Sequence, residues 1–184
     1  MRQILFVQGG GKDVHEQWDN KLVESLRGEL GAGWEIRYPR MPNEDDPKFA
    51  AWGDAIEGEI AAIRSGAIVV GHSIGGTILI NVLAARAPTV ALGAIALIAA
   101  PFVGPGGWES GEIELRADLG AHLPAGVPVL LYHGDRDETA PAAHLALYGA
   151  AIPQARVSRL ANRDHQLNND LVEVARDITQ LGAN

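Results

Sequence analysis

The sequence predicts an α/β protein whose doubly wound, mostly parallel sheet has six strands in the order 2-1-3-4-5-6 and is flanked by helices. Apolar, strand-like runs alternate along the chain with helix-patterned segments, as they do in proteins with a parallel sheet. The first, third, fourth and fifth strands are continuous apolar runs, which is typical of strands covered on both faces. The second and sixth alternate apolar and polar residues, as edge strands do. At 184 residues, we expect residues 1–184 to form a single domain.

The first strand leads into a glycine-rich loop and an amphipathic helix. Residues 3–8 form an apolar strand that ends in Gly9-Gly10-Gly11, a loop that cannot continue the strand and that lets a ligand approach the backbone. The helix that follows should end at Gly31. Its apolar face comprises Trp18, Leu22, Leu26 and Leu30.

The second strand is half exposed and is followed by a second amphipathic helix. Alternation of apolar and polar residues over 34–38 predicts the strand. Either Asp45 or Asp46 should cap the helix, with Pro47 at its first position. The buried face of this helix comprises Phe49, Trp52, Ile56, Ile60 and Ile63.

The third strand enters the turn around which the chain is organised. Apolar residues 67–70 precede Gly71-His72-Ser73-Ile74-Gly75, and a helix-patterned segment follows as far as Ala87. G-x-S-x-G between a strand and a helix is the pattern of a nucleophile elbow, a turn that strains the serine backbone and lifts its hydroxyl out of the sheet. Neighbouring chain passes close to such a turn, so small residues are needed two positions before and after the serine. The alternative is an ordinary strand–turn–helix with glycines for a tight bend.

The second half of the chain continues the alternation of strands and helices. Strands are expected at 94–100, 127–132 and 155–160, and helices begin at Pro141 and Asn168. Residues 101–124 are the least regular segment, with one short helix near 113–119. No full cap domain fits in that segment.

A serine nucleophile requires a base, and the base requires an acid that orients it. Asp135 and Asp137 follow the fifth strand, and His165 follows the sixth. These loops leave the sheet at the same end as Ser73, so the chain order is serine, aspartate, histidine. On spacing alone either aspartate could be the acid, and His165 could instead be a surface histidine.

The other five histidines are weaker candidates for the base. His15 and His144 are expected on or beside exposed helices, and His122 lies in the irregular segment. His72 lies inside the turn and points away from the hydroxyl, and His133 ends a strand. Both are therefore expected to be packed, structural residues.

Backbone amides of two loops are the expected oxyanion hole. One is the N–H of Ile74, the residue after the nucleophile, and the other is an N–H of the Gly9-Gly10 loop. A plain tight turn is one alternative reading of the glycines. A dinucleotide-binding loop is another, but Gly9-Gly10-Gly11-Lys12 matches neither the dinucleotide fingerprint nor a Walker motif.

Composition excludes several other classes of function. A net charge of −8 argues against nucleic-acid binding, and no basic helix face is available for anionic membranes. Because there is no cysteine, the chain has no disulfide, no cysteine nucleophile and no thiolate zinc site. No run is long enough for a membrane span, and residues 1–7 are typical of a strand rather than a signal peptide. We therefore expect a cytoplasmic protein without a metal.

With these motifs the chain resembles the α/β-hydrolase superfamily from end to end, in a minimal form without a full cap domain. It looks most like the short serine hydrolases of the retinoblastoma-binding-protein-nine type. The resemblance implies a Ser–Asp–His hydrolase without a cofactor. In the superfamily's H-G-x-x-D motif the second aspartate is catalytic, which selects Asp137 over Asp135. Two residues depart from the superfamily's pattern: Asp164 replaces the glycine often found before the histidine, and Ala140 replaces the usual valine before Pro141.

The sequence thus predicts a hydrolase of carboxylic esters or related acyl compounds that acts through an acyl-enzyme. Ser73 is the predicted nucleophile, His165 the base and Asp137 the acid, with the amides of Gly10 and Ile74 as the oxyanion hole. The predicted substrate pocket is shallow and suits small or protruding acyl groups. Its lining is expected to include Gly9, Phe102, Val103 and Trp108. The alternative function is that of a binding or scaffold protein that keeps the fold without turnover, and lyase or perhydrolase activity on the same triad stays open.

Overall fold

The computed structural model describes residues 1–113, 116 and 118–181, and its centre is one six-stranded sheet. Every neighbouring pair of strands is parallel, and the order is β2-β1-β3-β4-β5-β6. This confirms the predicted fold class and strand order. The strands are β1 Arg2–Val7, β2 Trp34–Arg37, β3 Ala67–His72, β4 Leu92–Ile98, β5 Val129–Gly134 and β6 Arg156–Leu160.

Helices cover both faces of this sheet. One face carries α1 and α6, and the other carries α2, α3 and α5, so the core forms two apolar layers on either side of the strands. A π-helical turn at His15–Asp19 precedes α1, and a 3-10 turn at Leu167–Asn169 precedes α6. The α-helices in the described part of the chain are α1 Asn20–Leu30, α2 Phe49–Ala62, α3 Ser73–Ala85, α4 Leu119–His122, α5 Ala143–Ala151 and α6 Val172–Leu181.

Burial explains which strands lie at the centre. Every residue of β3 and β5 is buried, and so is every residue of β1 after Arg2, because these strands have helices on both faces. Each fully buried large apolar side chain contributes about 1.5–3 kcal/mol relative to an exposed one. In contrast, β2 and β6 are partly exposed along their length. The continuous and alternating patterns in the sequence therefore distinguish central from edge strands.

Helix α2 begins later than predicted and has a different cap. Lys48 is extended (φ −108°, ψ 132°), so the helix begins at Phe49, and neither Asp45 nor Asp46 caps it. Instead, the Glu112 carboxylate accepts a hydrogen bond from the Phe49 N–H at 2.8 Å. A cap supplied from 63 residues further along the chain cannot be found in a local pattern.

The predicted apolar face of the first helix was wrong at its first residue. Trp18 is 52% exposed, and the neighbouring Asp19 is buried in its place. The π-helical turn holds more residues than an α-helical turn, so Trp18 and Leu22 do not share a face despite their spacing of four. The buried face of α1 consists of Leu22, Val23 and Leu26.

Several other helix boundaries differ from the predicted ones. Helix α3 ends at Ala85 rather than Ala87, and α5 begins two residues after Pro141. Helix α6 begins at Val172 rather than Asn168, because the residues before it have left-handed backbones. The short helix predicted near 113–119 falls partly outside the described residues, and α4 follows it. None of the helices in the described residues is long and apolar enough to cross a membrane.

Candidate active site

The turn between β3 and α3 presents Ser73 in a strained backbone conformation. Ser73 has a φ of +50°, which a residue with a side chain rarely adopts, and it is the first residue of α3. The flanking glycines are required by space. A Cβ on Gly75 would lie 1.9 Å from the carbonyl oxygen of Gln8, and a Cβ on Gly71 would lie 2.5 Å from the Cα of Gly76. The turn can therefore form only with glycine at these two positions.

Three side chains from three loops form a hydrogen-bonded chain at this edge of the sheet. The Nε2 atom of His165 lies 3.0 Å from the Oγ atom of Ser73. On the other side of the ring, Nδ1 lies 2.7 Å from Oδ2 of Asp137. The Asp137 side chain is fully buried, whereas the His165 side chain is 16% exposed. The structure thus brings together the predicted nucleophile, base and acid, with the histidine between the other two.

The carboxylate of Asp137 is held in place by four groups. Its Oδ1 atom accepts hydrogen bonds from the N–H groups of Thr139 and Ala140, both at 2.8 Å. Its Oδ2 atom contacts His165 and also lies 3.0 Å from Nε2 of His133. Burial raises the pKa of Asp137, but the hydrogen bonds from His133, His165 and Ala140 lower it by more, so the net pKa lies below the ordinary value. Asp137 is therefore ionised at neutral pH.

The rival aspartate lies elsewhere. Asp135 is exposed, and its Oδ1 atom accepts a hydrogen bond from the N–H of Asn162 at 2.7 Å. Asp135 thus joins the loops after β5 and β6 without contacting His165.

Two of the three amides in the loop after β1 already have acceptors. The N–H of Gly9 donates to Oδ2 of Asp19 at 2.6 Å, and the N–H of Gly11 donates to the carbonyl oxygen of Glu44 at 2.6 Å. The N–H of Gly10 has no acceptor among the described residues. Gly10 is therefore the residue of this loop whose amide is available to a ligand.

The amide of Ile74 is the second free donor at the site. It lies in the first turn of α3, where backbone N–H groups have no acceptor within the helix. The two residues are neighbours, since a Cβ added to Gly10 would lie 2.8 Å from Cγ2 of Ile74. Two free amides and the N-terminus of a helix at one edge are an arrangement that favours negative charge.

Comparison with known families places most of the chain in one family. Residues 4–179 match the family described as "Alpha/beta hydrolase family".

The chain belongs to the alpha/beta hydrolase family.

Solved structures show the same fold at low sequence identity. Est1E from Butyrivibrio proteoclasticus is 13% identical, with a TM-score of 0.72 over 100% of this chain and 89% of that one. The ydeN gene product from B. subtilis is 16% identical, with a TM-score of 0.73 over 100% of both chains. The monoacylglycerol lipase of Paleococcus ferrophilus is 15% identical, with a TM-score of 0.67 over 97% of this chain and 92% of that one. No curated protein matches the sequence.

The residues predicted to line the substrate pocket of this α/β hydrolase occupy two places. Gly9 adjoins the serine, since a Cβ on Gly9 would lie 3.2 Å from Cβ of Ser73. Phe102, Val103 and Trp108 belong to one closed loop, in which the N–H of Trp108 donates to the carbonyl of Phe102 at 2.8 Å. Phe102 is buried, whereas Trp108 is 40% exposed and lines an open cavity of about 640 Å³ formed by residues 104–111.

Two histidines of this hydrolase have partners that the sequence did not reveal. His144 was expected on an exposed helix face, but it is buried, and its Nδ1 atom accepts a hydrogen bond from the N–H of Phe102 at 2.8 Å. Burial and the neighbouring His133 lower the pKa of His144. His72 is packed, as expected, but it contacts the buried Asp19. No sequence signal links residues 53 positions apart.

Among the described residues no three His, Asp or Glu side chains are grouped so that they could hold a metal ion. The side chains and amides gathered at the site are a hydroxyl, an imidazole, a carboxylate and two free amides.

Proposed function

We propose that this α/β hydrolase is a serine hydrolase that cleaves carboxylic esters or related acyl substrates through an acyl-enzyme. The observation that carries the proposal is the hydrogen-bonded chain from Asp137 through His165 to Ser73, with distances of 2.7 and 3.0 Å. Such a chain supplies a nucleophile, its base and the group that orients the base.

The partners of the His165 ring determine which nitrogen acts as the base. An ionised Asp137 can only accept hydrogen bonds, so Nδ1 of His165 carries the proton. The Nε2 atom is then unprotonated and accepts the hydrogen bond of the Ser73 hydroxyl. When Ser73 attacks an acyl carbon, Nε2 takes the hydroxyl proton and passes it to the departing alcohol. Water, deprotonated by the same nitrogen, then releases the acyl group from Ser73.

Negative charge on the attacked carbonyl oxygen requires donors. The amides of Gly10 and Ile74 are the free N–H groups beside Ser73, and we assign them to this role. Loss of one such donor costs about 10²–10³-fold in kcat in other hydrolases. The N-terminus of α3 adds a favourable dipole at the same point.

For the substrate, we propose small or protruding acyl groups rather than long buried chains. Residues 101–124 are too few for a full cap domain, which supports a site without a deep cover. The cavity lined by residues 104–111 includes none of Ser73, Asp137 and His165, so it does not enter this argument. One neighbouring fold is a monoacylglycerol lipase by name, which supports ester chemistry as a class only. The closer resemblance to hydrolases of the retinoblastoma-binding-protein-nine type and the cytoplasmic location stay predictions.

Labelling with a fluorophosphonate probe tests the proposal. The probe reacts with activated serines, so the wild-type protein should be labelled and Ser73→Ala should not. The same substitution should reduce ester turnover by several orders of magnitude while leaving the fold intact. Well-folded wild-type protein that is not labelled would favour the binding or scaffold alternative.

A panel of p-nitrophenyl esters of increasing chain length tests the substrate class. Rates should be highest for short acyl chains. Rates that rise steadily to long-chain esters would contradict a shallow site.

A further inference from the structure

A second aspartate–histidine pair lies beside the first, and the proposed reaction does not use it. Asp19 ends the π-helical turn, and His72 is the residue before the nucleophile; both are buried. Oδ2 of Asp19 lies 2.9 Å from Nδ1 of His72. The ring of His72 also lies beside that of His165, with 4.9 Å between their centroids.

Both ring nitrogens of His72 face acceptors. Nδ1 faces the carboxylate of Asp19, and Nε2 lies 3.1 Å from the main-chain carbonyl oxygen of His165. A carbonyl oxygen can only accept a hydrogen bond, so Nε2 carries a proton. Asp19 already accepts from the Gly9 N–H on Oδ2 and from the Gln166 amide on Oδ1, which favours its ionised form. His72 therefore carries protons on both nitrogens and forms a buried imidazolium–carboxylate pair.

The electrostatic surroundings agree with this protonation. Burial lowers the pKa of His72, but the charge of Asp19 and the hydrogen bond to it raise this pKa by more. Burial likewise raises the pKa of Asp19, and the charge and hydrogen bond of His72 lower it by more. The other titratable groups that face the ring are His165 and, further away, Asp137.

One buried carboxylate thereby joins the ends of three strands. Asp19 bonds to Gly9 after β1 (2.6 Å), to His72 at the end of β3 (2.9 Å) and to Gln166 after β6 (3.2 Å). His72 extends the connection to the main chain of His165. Hydrogen bonds to ionised groups are roughly twice as strong as neutral ones, and their short distances restrict geometry.

The loop that carries His165 needs such a restraint. Two residues after His165 a left-handed stretch begins, in which Leu167, Asn168 and Asn169 have φ values of 48°, 58° and 56°. Three consecutive left-handed residues are strained and persist only where surrounding contacts hold them. His72 contacts the main-chain carbonyl of His165, two residues before this stretch begins.

We propose that Asp19 and His72 are positioning residues whose buried ion pair holds the His165 main chain and the Gly9-Gly10 loop in register with Ser73. The proposal rests on the proposed function, because it concerns the base and the oxyanion loop of that reaction. Neither side chain touches the substrate.

Kinetics of Asp19→Asn, His72→Gln and the double variant test this role. Misplacement of a catalytic group by about 1 Å costs about 10²-fold. We therefore expect each single variant to lower kcat about 10²-fold with KM little changed, since the base and oxyanion amides act in the transition state. The double variant should be no slower than the slower single variant, because the two residues act as one unit.

Asp177→Asn provides the matched control. Asp177 is another buried carboxylate, but it accepts a hydrogen bond from Tyr132 Oη at 2.9 Å on the side of the sheet covered by α6. Its substitution should lower thermal stability and leave kcat unchanged. If Asp19→Asn and His72→Gln lower stability to the same degree as the control but keep wild-type kcat, the positioning role is refuted.

Two further measurements use the wild-type protein and therefore test the proposal even if the variants do not fold. Nitrogen-15 NMR of the wild-type imidazoles at about pH 7 should show His72 protonated on both nitrogens, and an unprotonated nitrogen would overturn the ion pair even if the variants fail to fold. Folded wild-type protein that resists fluorophosphonate labelling removes the proposed function and the positioning role together. Labelled wild type with unimpaired Asp19→Asn and His72→Gln overturns the positioning role alone.

Discussion

Replacing Asp137 by asparagine places one amide between two sets of hydrogen-bond partners that both need an acceptor. Oδ1 accepts from the N–H groups of Thr139 and Ala140, and Oδ2 faces Nδ1 of His165 and Nε2 of His133. An asparagine can offer an oxygen to only one of these sets. Whichever set faces the NH₂ group must accept hydrogen bonds or lose them.

The amide orientation of lower free energy points its oxygen at the backbone N–H groups. The NH₂ group then donates to Nδ1 of His165, so Nε2 becomes protonated and can no longer take the proton of Ser73. The other orientation restores the competent tautomer but leaves the N–H groups of Thr139 and Ala140 facing a donor. A lost acceptor at a buried donor costs about 1–3 kcal/mol, which applies to the partly buried N–H of Ala140 more than to the exposed N–H of Thr139. At about 1.36 kcal/mol per tenfold, that cost alone accounts for about 10- to 100-fold in kcat. Because the carboxylate that stabilises the imidazolium is lost as well, we expect a total loss of about 10⁴-fold, as for asparagine at the acid of other serine hydrolases.

Asp135→Asn is the matched comparison two residues away. Asp135 is exposed and accepts one hydrogen bond from the N–H of Asn162 at 2.7 Å, which an asparagine oxygen can also accept. We expect a loss of at most about tenfold, the scale of one weakened hydrogen bond. Steady-state rates on a short-chain p-nitrophenyl ester, with circular dichroism to verify folding, compare the two variants. An inactive Asp135→Asn beside an active Asp137→Asn would show that the acid is assigned to the wrong residue.

Two further predictions concern stability. Gly75→Ala should prevent folding or greatly lower the unfolding midpoint, because its Cβ would lie 1.9 Å from the Gln8 carbonyl oxygen. In contrast, Gly58→Ala in α2 should stabilise the protein by about 0.5–1 kcal/mol, because nothing lies within 4 Å of the new Cβ. Urea unfolding of both variants makes the comparison. Equal unfolding midpoints for the two variants would contradict this prediction. The second concerns pH. The pKa of Asp137 is lower in the folded than in the unfolded state, where it is about 3.9, so its stabilising contribution is complete above about pH 5 and decreases as the pH falls towards the folded value. The difference in unfolding free energy between wild type and Asp137→Asn should therefore shrink from about pH 5 to about pH 3, and a constant difference would be evidence against the lowered pKa.

Strand order could be predicted because central strands are buried on both faces and edge strands are not, and the pattern of apolar residues in each strand reflects this difference. The apolar runs of β1, β3, β4 and β5 indicate strands covered on both faces, and the alternation in β2 and β6 indicates edges. Boundaries were less predictable, because they depend on contacts from distant residues. The cap that Glu112 supplies to Phe49 and the π-helical turn before α1 are examples.

Some residues of the candidate site could likewise be predicted from the sequence, and others could not. Ser73 is identified by a local turn whose glycines are needed for space, and its partners follow at the ends of two later strands. The structure brings these side chains within hydrogen-bond distance, while their catalytic roles stay proposals. Asp19 could not be identified, since an aspartate beside Trp18 on an amphipathic helix looks like a solvent-exposed residue. In the structure Asp19 ends the π-helical turn, and its carboxylate contacts His72.

The position of β6 at the edge of the sheet has a consequence for how the candidate site comes apart. Ser73 follows β3, which is paired on both sides, whereas His165 follows a short, partly exposed strand that is paired with β5 alone. Edge elements with few buried contacts open locally at a smaller free-energy cost than the core does. A fluctuation that detaches β6 would carry the histidine away while the serine and the rest of the sheet stay folded. We therefore expect the part of the candidate site that carries His165 to open at a lower free-energy cost than the part that carries Ser73.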